Sequence, residues 1–385
     1  MKRVVLVVGT RPEVIKMAPI YRELQQSKKL QPFLLSTGQH REMLAQALSA
    51  FDLIPDQDLG LMQPGQTLPD LTARVLQAVT QFLNEESPAA LLVQGDTTTV
   101  LAAAMAAAFA HVPIGHVEAG LRTYNMNHPF PEEMNRRLVS PLARWSFVPT
   151  NCSRDNLLSE RIAESAIHVT GNSVIDALLW VRDKTEQAGW TTVEVARRLA
   201  IPQPFQRTFL EGGKKWILVT GHRRESFGDG FESICRALLQ IAEEHPEVGI
   251  LYPVHLNPQV RKPVNQFLAD HPRIALIEPA GYQDFVWLMD RCHFLLSDSG
   301  GVQEEAPSLG KPVLVMRSTT ERPEGISAGT CRLVGTDQAT IVAEARLLLG
   351  DDGEYLRRSA LANPYGDGNT SRRIREILEA DLAGP

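Results

Sequence analysis

The sequence lacks the features that mark several large classes of protein. Its four cysteines form no CxxC pair, which argues against a zinc site or a disulfide framework and favours a reducing compartment. No apolar run approaches the roughly 18 residues of a membrane helix, and the formal net charge of −6 gives no sign of nucleic-acid or membrane-surface binding. The apolar run at 4–8 is too short for a secretion signal and reads as a buried first strand. We therefore expect a cytoplasmic protein that binds neither nucleic acid nor membrane.

Several catalytic and cofactor motifs are also missing. No GxGxxG follows the first apolar run, which argues against a dinucleotide cofactor, and without HExxH or GxSxG nothing supports zinc or serine hydrolysis. Gly310-Lys311-Pro312 resembles the end of a P-loop, but proline replaces the Ser or Thr and no glycine lies five residues before Gly310. We expect no cofactor and no metal.

The apolar pattern predicts an α/β fold with two doubly wound domains. The 385 residues are too many for one typical domain. Continuous apolar strands alternate with amphipathic helices, which indicates parallel sheets covered on both faces. Strands are predicted at 4–8, 33–36, 90–93, 113–117 and 145–148, and again at 216–220, 249–252, 274–276, 293–296 and 312–315. We predict an N-terminal domain at 1–175, a second domain at 176–370 and a C-terminal helix at 371–385 that is able to pack back on the first.

Carboxylates follow successive strands of the predicted first domain. Asp96 and Glu118 come directly after two strands, and one of Glu132 or Glu133 begins the next helix. Ligands of open parallel sheets bind at the carboxyl ends of strands, so these side chains are expected to converge. Because gathered carboxylates repel, at least one should have a raised pKa, which suits acid/base catalysis or the stabilisation of a cation. The alternative for Asp96, which precedes three threonines, is a helix cap.

The second domain contains a typical anion-binding turn. A short strand ends in Ser-Asp-Ser-Gly-Gly at 297–301 and leads into a helix that carries two glutamates. Glycines allow close approach of the backbone, and the helix start offers N–H donors to phosphate, while a glutamate one turn later suits ribose hydroxyls. A capped strand-to-helix turn without a ligand would have the same sequence.

Basic residues near strand ends are candidate contacts to a bound anion. Arg11 and Lys16 lie at the start of a helix, where cations oppose the helix dipole unless an anion is bound or the side chains are solvated. His222 follows a strand beside two arginines and is either structural or a contact to a leaving group. Arg322 also follows a strand of the second domain.

A series of motifs, in order from about residue 3 to about residue 370, resembles the bacterial non-hydrolysing UDP-N-acetylglucosamine 2-epimerases. The motifs are GTRPE (9–13), QHREML (39–44), GDTTT (95–99), HVEAGLRT (116–123), PEEMNR (131–136), GHRRES (221–226), HLNP (255–258), DSGGVQEEAP (298–307) and TERPE (320–324). The resemblance implies two facing Rossmann-like domains with a cleft between them, as in GT-B glycosyltransferases, and a homodimer. It also implies cofactor-free interconversion of UDP-N-acetylglucosamine and UDP-N-acetylmannosamine through loss of UDP, 2-acetamidoglucal and re-addition, which supplies N-acetylmannosamine units for surface polysaccharide.

The resemblance also assigns roles to individual residues. Asp96, Glu118 and Glu132 would form the acid/base set, and His222 and Arg11 would contact the departing diphosphate. Phe285 would stack on uracil, although it also suits a core position, and Ala280 can offer only its backbone to the base. The rest of the UDP pocket would consist of Lys16, Ser299, Gly300, Gly301, Glu305 and Arg322.

Many members of this family have a second, activating UDP-N-acetylglucosamine site. Its motif matches Gln39, Gln66, Arg223 and His255. Two neighbouring positions differ, because Glu42 and Gly65 stand where the family has glutamine and arginine, so retention of this regulation is open.

Other activities fit parts of the pattern. A glycosyltransferase of the GT-B type would share the diphosphate site without needing three carboxylates. A hydrolysing relative would release free N-acetylmannosamine and UDP. A regulatory protein that only binds a UDP-sugar would function without Asp96.

Overall fold

The structure, a computed structural model, describes residues 1–38, 41–61, 63 and 65–382, without the side chains of 41–43. The chain forms two compact units. Unit 1 comprises Met1–Trp180 and Tyr365–Pro385, and unit 2 comprises Val181–Pro364.

Unit 1 alternates strands and helices around a parallel sheet. Its elements are β1 (Lys2–Val8), α1 (Arg11–Gln25), β2 (Leu30–Ser36), α2 (Arg41–Ala50), β3 (Gln57–Asp58), α3 (Leu68–Glu86), β4 (Ala90–Gln94), α4 (Thr98–Phe109), β5 (Ile114–Val117), α5 (Glu132–Val139), β6 (Trp145–Val148), α6 (Asn151–Ser159), β7 (Ile167–Val169) and α7 (Ser173–Gln187), whose last residues enter unit 2.

The sheet of unit 1 has the strand order β3-β2-β1-β4-β5-β6-β7. Its central strands are buried along their whole length, which explains their unbroken apolar runs. The small residues of α4 are buried between the sheet and the neighbouring helices, where alanine permits close approach. Chain order reverses between β1 and β4, so the loops that follow these strands lie at the switch point where such sheets bind ligands.

Unit 2 repeats this architecture with six strands. Its elements are α8 (Thr192–Arg198), α9 (Gln203–Phe205), β8 (Trp216–Thr220), α10 (Asp229–Glu244), β9 (Gly249–Pro253), α11 (Pro258–Leu268), β10 (Ile274–Ile277), α12 (Tyr282–Arg291), β11 (Phe294–Ser297), α13 (Gly300–Glu305), β12 (Val313–Val315), α14 (Pro323–Ala328), β13 (Cys331–Leu333), α15 (Gln338–Gly350) and α16 (Asp352–Ser359). The strand order β10-β9-β8-β11-β12-β13 places the switch point between β8 and β11.

The last helix, α17 (Thr370–Leu382), belongs to unit 1. Its first turn is capped by Asp176 of α7, whose carboxylate accepts the backbone N–H groups of Thr370 and Ser371 at 3.3 and 2.8 Å. Burial raises the pKa of Asp176. Ser27 donates to Glu379 at 2.6 Å, so both ends of α17 are tied to unit 1.

The α/β fold with two parallel sheets confirms the fold class expected from the sequence. Every predicted strand is present, within two or three residues at each end. The strands that the sequence did not predict are the short edge strands β3, β7 and β13, which have too few residues for a recognisable apolar run. Among the described helices, none is both long and apolar enough to cross a membrane.

Candidate active site

Glu118 is held by hydrogen bonds at both carboxylate oxygens. It follows β5 and has a φ of 62°, a left-handed conformation that is uncommon outside glycine. Lys16 of α1 lies 2.6 Å from both oxygens. The Gln94 amide donates to Oε2, and Asn172 donates to Oε1 at 3.3 Å. Side chains from α1, from β4 and from the loop before α7 therefore fix this buried carboxylate, and Lys16, predicted for the UDP pocket, pairs with it.

Asp96 lies in the loop between β4 and α4 and is partly buried. Its backbone carbonyl accepts the amide of Asn135 at 2.8 Å, and its carboxylate lies 3.4 Å from the Arg136 guanidinium. Burial raises the pKa of Asp96, and the nearby carboxylates of Glu118 and Glu132 act in the same direction against Arg136 and Lys16. A carboxylate with a raised pKa is suited to exchange a proton.

The two glutamates at the start of α5 have different surroundings. Glu132 is partly buried, and its Oε2 has no hydrogen-bond partner among the described residues. Glu133 is fully buried and accepts the backbone N–H groups of Thr123 and Tyr124, each at 3.0 Å. Glu133 thus fixes the loop that precedes α5, while Glu132 retains an oxygen that a substrate atom would satisfy.

Glu13 and His116 hold the loops that surround this site, and neither is among the residues predicted from the sequence. Glu13 accepts the N–H groups of Gly9 and Thr10 at 2.6 and 2.8 Å and the Thr97 hydroxyl at 2.6 Å. His116 lies in β5, with Nε2 2.8 Å from the Gly95 carbonyl. Burial lowers the pKa of His116 to about 4, so the ring is neutral and donates this hydrogen bond. The only sequence signal for these two residues is that each is a polar side chain within an otherwise apolar segment.

Arg11 occupies the first position of α1 and is partly buried. It makes no ion pair within the described parts of the chain. A guanidinium at a helix N-terminus opposes the helix dipole, so an anion bound there would satisfy both.

In unit 2, Asp298 orients the loop that carries His222. The buried carboxylate of Asp298 accepts the backbone N–H groups of His222 and Arg223, both at 2.7 Å, and lies 3.5 Å from His222 Nδ1. The His222 ring stacks on His255 at 5.2 Å and 19°. Partial burial lowers the pKa of His222, although Asp298 acts in the opposite direction.

The glycine turn after β11 leads directly into α13. Ser299 is the residue before the helix, and Gly300 and Gly301 are its first two residues. A Cβ on Gly300 would lie 3.7 Å from the Arg322 guanidinium, so this cation lies beside the helix start. Glu305 is buried and accepts the Tyr282 hydroxyl at 2.7 Å.

The remaining predicted residues of unit 2 lie near one another in the chain. Ala280 and Phe285 flank the start of α12, and both are partly exposed, so Phe285 is not a core residue.

The residues of the predicted second site belong to both units. Gln39 lies outside the described residues. Gln66 of unit 1 accepts Arg74 Nη2 at 2.7 Å. In unit 2, Arg223 follows His222, and His255 contacts the His222 ring.

Among the described residues, no group of three or more His, Cys, Asp or Glu side chains is placed to hold a metal ion.

The fold and these residues define an α/β protein of two Rossmann-like units, one with a carboxylate cluster and the other with a glycine turn suited to phosphate. The model of the UDP-N-acetylglucosamine 2-epimerase family matches residues 22–379, and the chain belongs to this family. The UDP-N-acetylglucosamine 2-epimerase of Escherichia coli K12 is 53% identical over 377 residues, which cover 98% of each chain.

The chain is also similar in fold to solved structures of UDP-GlcNAc 2-epimerases. The Neisseria meningitidis UDP-GlcNAc 2-epimerase bound to UDP-GlcNAc is 45% identical with a TM-score of 0.86, covering 98% of this chain and 100% of that one. The Methanocaldococcus jannaschii UDP-GlcNAc 2-epimerase in complex with UDP-GlcNAc and UDP is 31% identical with a TM-score of 0.76, covering 98% and 99%.

Proposed function

We propose that the protein interconverts UDP-N-acetylglucosamine and UDP-N-acetylmannosamine by elimination and re-addition of UDP. The observation that carries this proposal is the cluster of Asp96, Glu118 and Glu132 beside Lys16, in a chain that also has a phosphate-type glycine turn. Transfer to a sugar acceptor would not require three carboxylates.

In the proposed reaction the C1–O bond breaks and its electron pair leaves with UDP. Positive charge then develops at C1 and acidifies the C2 proton, which a carboxylate removes to give 2-acetamidoglucal. A second carboxylic acid returns a proton to the opposite face of C2, and a phosphate oxygen of UDP attacks C1. The proton removed from C2 is replaced by another, so substrate and product have the same composition and no oxidant or reductant is needed.

The surroundings of the carboxylates suggest a division of roles. Glu118 is hydrogen-bonded at both oxygens and is suited to face the positive charge at C1. Asp96, with its raised pKa, and Glu132, with an unsatisfied oxygen, are suited to exchange the proton at C2.

We assign the diphosphate to the unit 2 turn. Gly300 and Gly301 would donate backbone N–H groups, and Ser299 would join them by redirecting an N–H that donates to the Ser297 hydroxyl at 3.0 Å. Arg322 would add a cation, and Glu305 would accept the ribose hydroxyls. His222 and Arg11 would stabilise the charge of departing UDP, and Phe285 and the Ala280 backbone would contact uracil. The proposal includes a homodimer and a supply of N-acetylmannosamine units for surface polysaccharide.

Incubation with UDP-N-acetylglucosamine in deuterated water, without an acceptor, tests the reaction. We expect UDP-N-acetylmannosamine with deuterium at C2, and a fall in rate of at least about a hundredfold for Asp96→Asn, the loss typical of a missing general acid or base. Glu164→Gln, at an exposed position, is the control. Unlabelled product would contradict proton exchange, free N-acetylmannosamine as the main product would indicate hydrolysis, and no turnover would contradict the proposed activity.

A further inference from the structure

We propose that Arg136 is a positioning residue that holds Asp96 and Glu132 in one fixed arrangement for proton transfer. This inference rests on the proposed epimerase function and adds a residue to it. Arg136 lies within the PEEMNR motif, but the roles drawn from the sequence did not include it.

The Arg136 side chain contacts the carboxylate of Asp96 and the backbone of Glu132, the two residues of the proposed proton-transfer pair. It is only 8% exposed, and its Nη2 lies 3.4 Å from Asp96 Oδ2. Its Nε donates to the backbone carbonyl of Glu132 at 3.3 Å and lies 3.4 Å from the carboxylate of Glu133. One guanidinium therefore joins the loop after β4 to the first turn of α5.

A second contact supports the same connection. Asn135, also on α5, donates to the backbone carbonyl of Asp96 at 2.8 Å. The backbone and the carboxylate of Asp96 are thus both held by α5, the helix that begins with Glu132. A rigid helix that carries one group and clamps the other fixes the distance between them, and small displacements at such sites strongly reduce rate.

The positive charge of Arg136 also affects Asp96. Four charged groups act on Asp96 from the surrounding elements: Arg136 and Glu132 of α5, Glu118 after β5, and Lys16 of α1. Burial and the two glutamates raise the pKa of Asp96, whereas Arg136 and Lys16 lower it. Removing Arg136 should therefore raise this pKa further, so that ionised Asp96 appears only at higher pH.

The pH dependence of kcat and kcat/KM separates this role from a purely structural one. We expect Arg136→Gln to reduce kcat by roughly ten- to a hundredfold. The acid limb of its pH–rate profile should move to higher pH by about one pH unit. Arg136→Lys retains the charge but not the planar group. Its acid limb should therefore lie close to the wild-type pH, while only part of kcat is restored. Arg137→Gln is the matched control, because the neighbouring Arg137 pairs with Glu160 at 3.4 Å and its side chain is 37% exposed.

Thermal unfolding of each variant shows whether it is folded. If Arg136→Gln does not fold, the Arg136→Lys profile decides: reduced kcat with a near-normal limb supports the inference, and unchanged kcat overturns it. Equal loss of kcat in Arg136→Gln and Arg137→Gln would also overturn it, and so would a fall in the kcat of Arg136→Gln without movement of its acid limb. Wild-type enzyme without epimerase activity would instead contradict the proposed function, so the two failures are distinguishable.

Discussion

Glu13 shows how a single buried carboxylate organises the loops that surround the carboxylate cluster. It is 1% exposed and accepts hydrogen bonds from the backbone of the loop after β1 and from Thr97 after β4. The first loop leads directly into Arg11 at the start of α1, and the second contains Asp96. Burial nevertheless raises the pKa of Glu13, despite the hydrogen bonds that favour its ionised form. The charge therefore opposes folding while the hydrogen bonds keep the loops together.

Replacing Glu13 by glutamine separates these two effects. A raised pKa in the folded state means that the stability contributed by Glu13 is complete below its ordinary value of 4.5 and is lost as pH rises through the folded pKa. Glutamine accepts the same N–H groups without this loss. We therefore expect the unfolding free energy of Glu13→Gln, relative to wild type, to increase as the pH rises above 4.5, measured by urea unfolding.

Glu13→Ala provides the contrast. It leaves the N–H groups of Gly9 and Thr10 without an acceptor, which costs about 1–3 kcal/mol for each buried group. A Glu13→Gln variant whose stability relative to wild type falls with rising pH would contradict this account. Glu164→Gln, at an exposed site, should show no pH trend.

At the scale of elements, the turn after β5 determines where Glu118 is presented. Gly120 has a φ of 86° and packs against the first turn of α6, where an added Cβ would lie 2.3 Å from the Ser153 carbonyl oxygen. No flexible side chain can move aside to relieve this contact, because the nearest atoms belong mainly to the Ser153 backbone. A side chain at Gly120 must therefore displace either α6 or the segment that carries Glu118.

We expect Gly120→Ala to lower the unfolding free energy by roughly 2–4 kcal/mol, from left-handed strain and overpacking together. It should also reduce kcat, because Glu118 lies two residues away. The control is Gly189→Ala, whose φ of 66° is comparable but whose Cβ would meet nothing within 4 Å. It should lose only about 1–2 kcal/mol, from strain alone, and keep its kcat. Equal effects of the two substitutions would show that packing against α6 is unimportant.

At the scale of the whole molecule, sequence alone predicted the elements better than the contacts. Strands such as β4 and β8 were predictable because an apolar run long enough to cross a sheet is distinctive. Asp96 could be predicted as a site residue because it comes soon after such a strand, and ligands bind at the carboxyl ends of strands. The edge strand β3 consists of Gln57 and Asp58 and carries no apolar signal.

The partners within the site could not be predicted, since they are distant in sequence. Lys16 pairs with Glu118 across 102 positions, whereas the motif resemblance suggested only that it belongs to the UDP pocket. Asp298 was visible within the glycine turn, but its hydrogen bonds to the backbone of His222 and Arg223 depend on the pairing of β8 with β11. Such roles depend on tertiary packing, which periodicity does not encode.

The proposed division of labour between the units predicts that nucleotide binding and chemistry can be lost separately. Asp96 of unit 1 is assigned to proton transfer, so Asp96→Asn should reduce turnover by at least about a hundredfold. Its affinity for UDP, measured by calorimetry, should stay close to that of wild type. Glu305 of unit 2 is assigned to the ribose, so Glu305→Ala should weaken UDP binding roughly tenfold or more, as expected for a lost hydrogen bond to a charged group. Glu211→Ala, at an exposed position of unit 2, should bind normally. If Asp96→Asn weakened UDP binding as much as Glu305→Ala, the carboxylate cluster would be part of the nucleotide site, and its assignment to chemistry alone would be wrong.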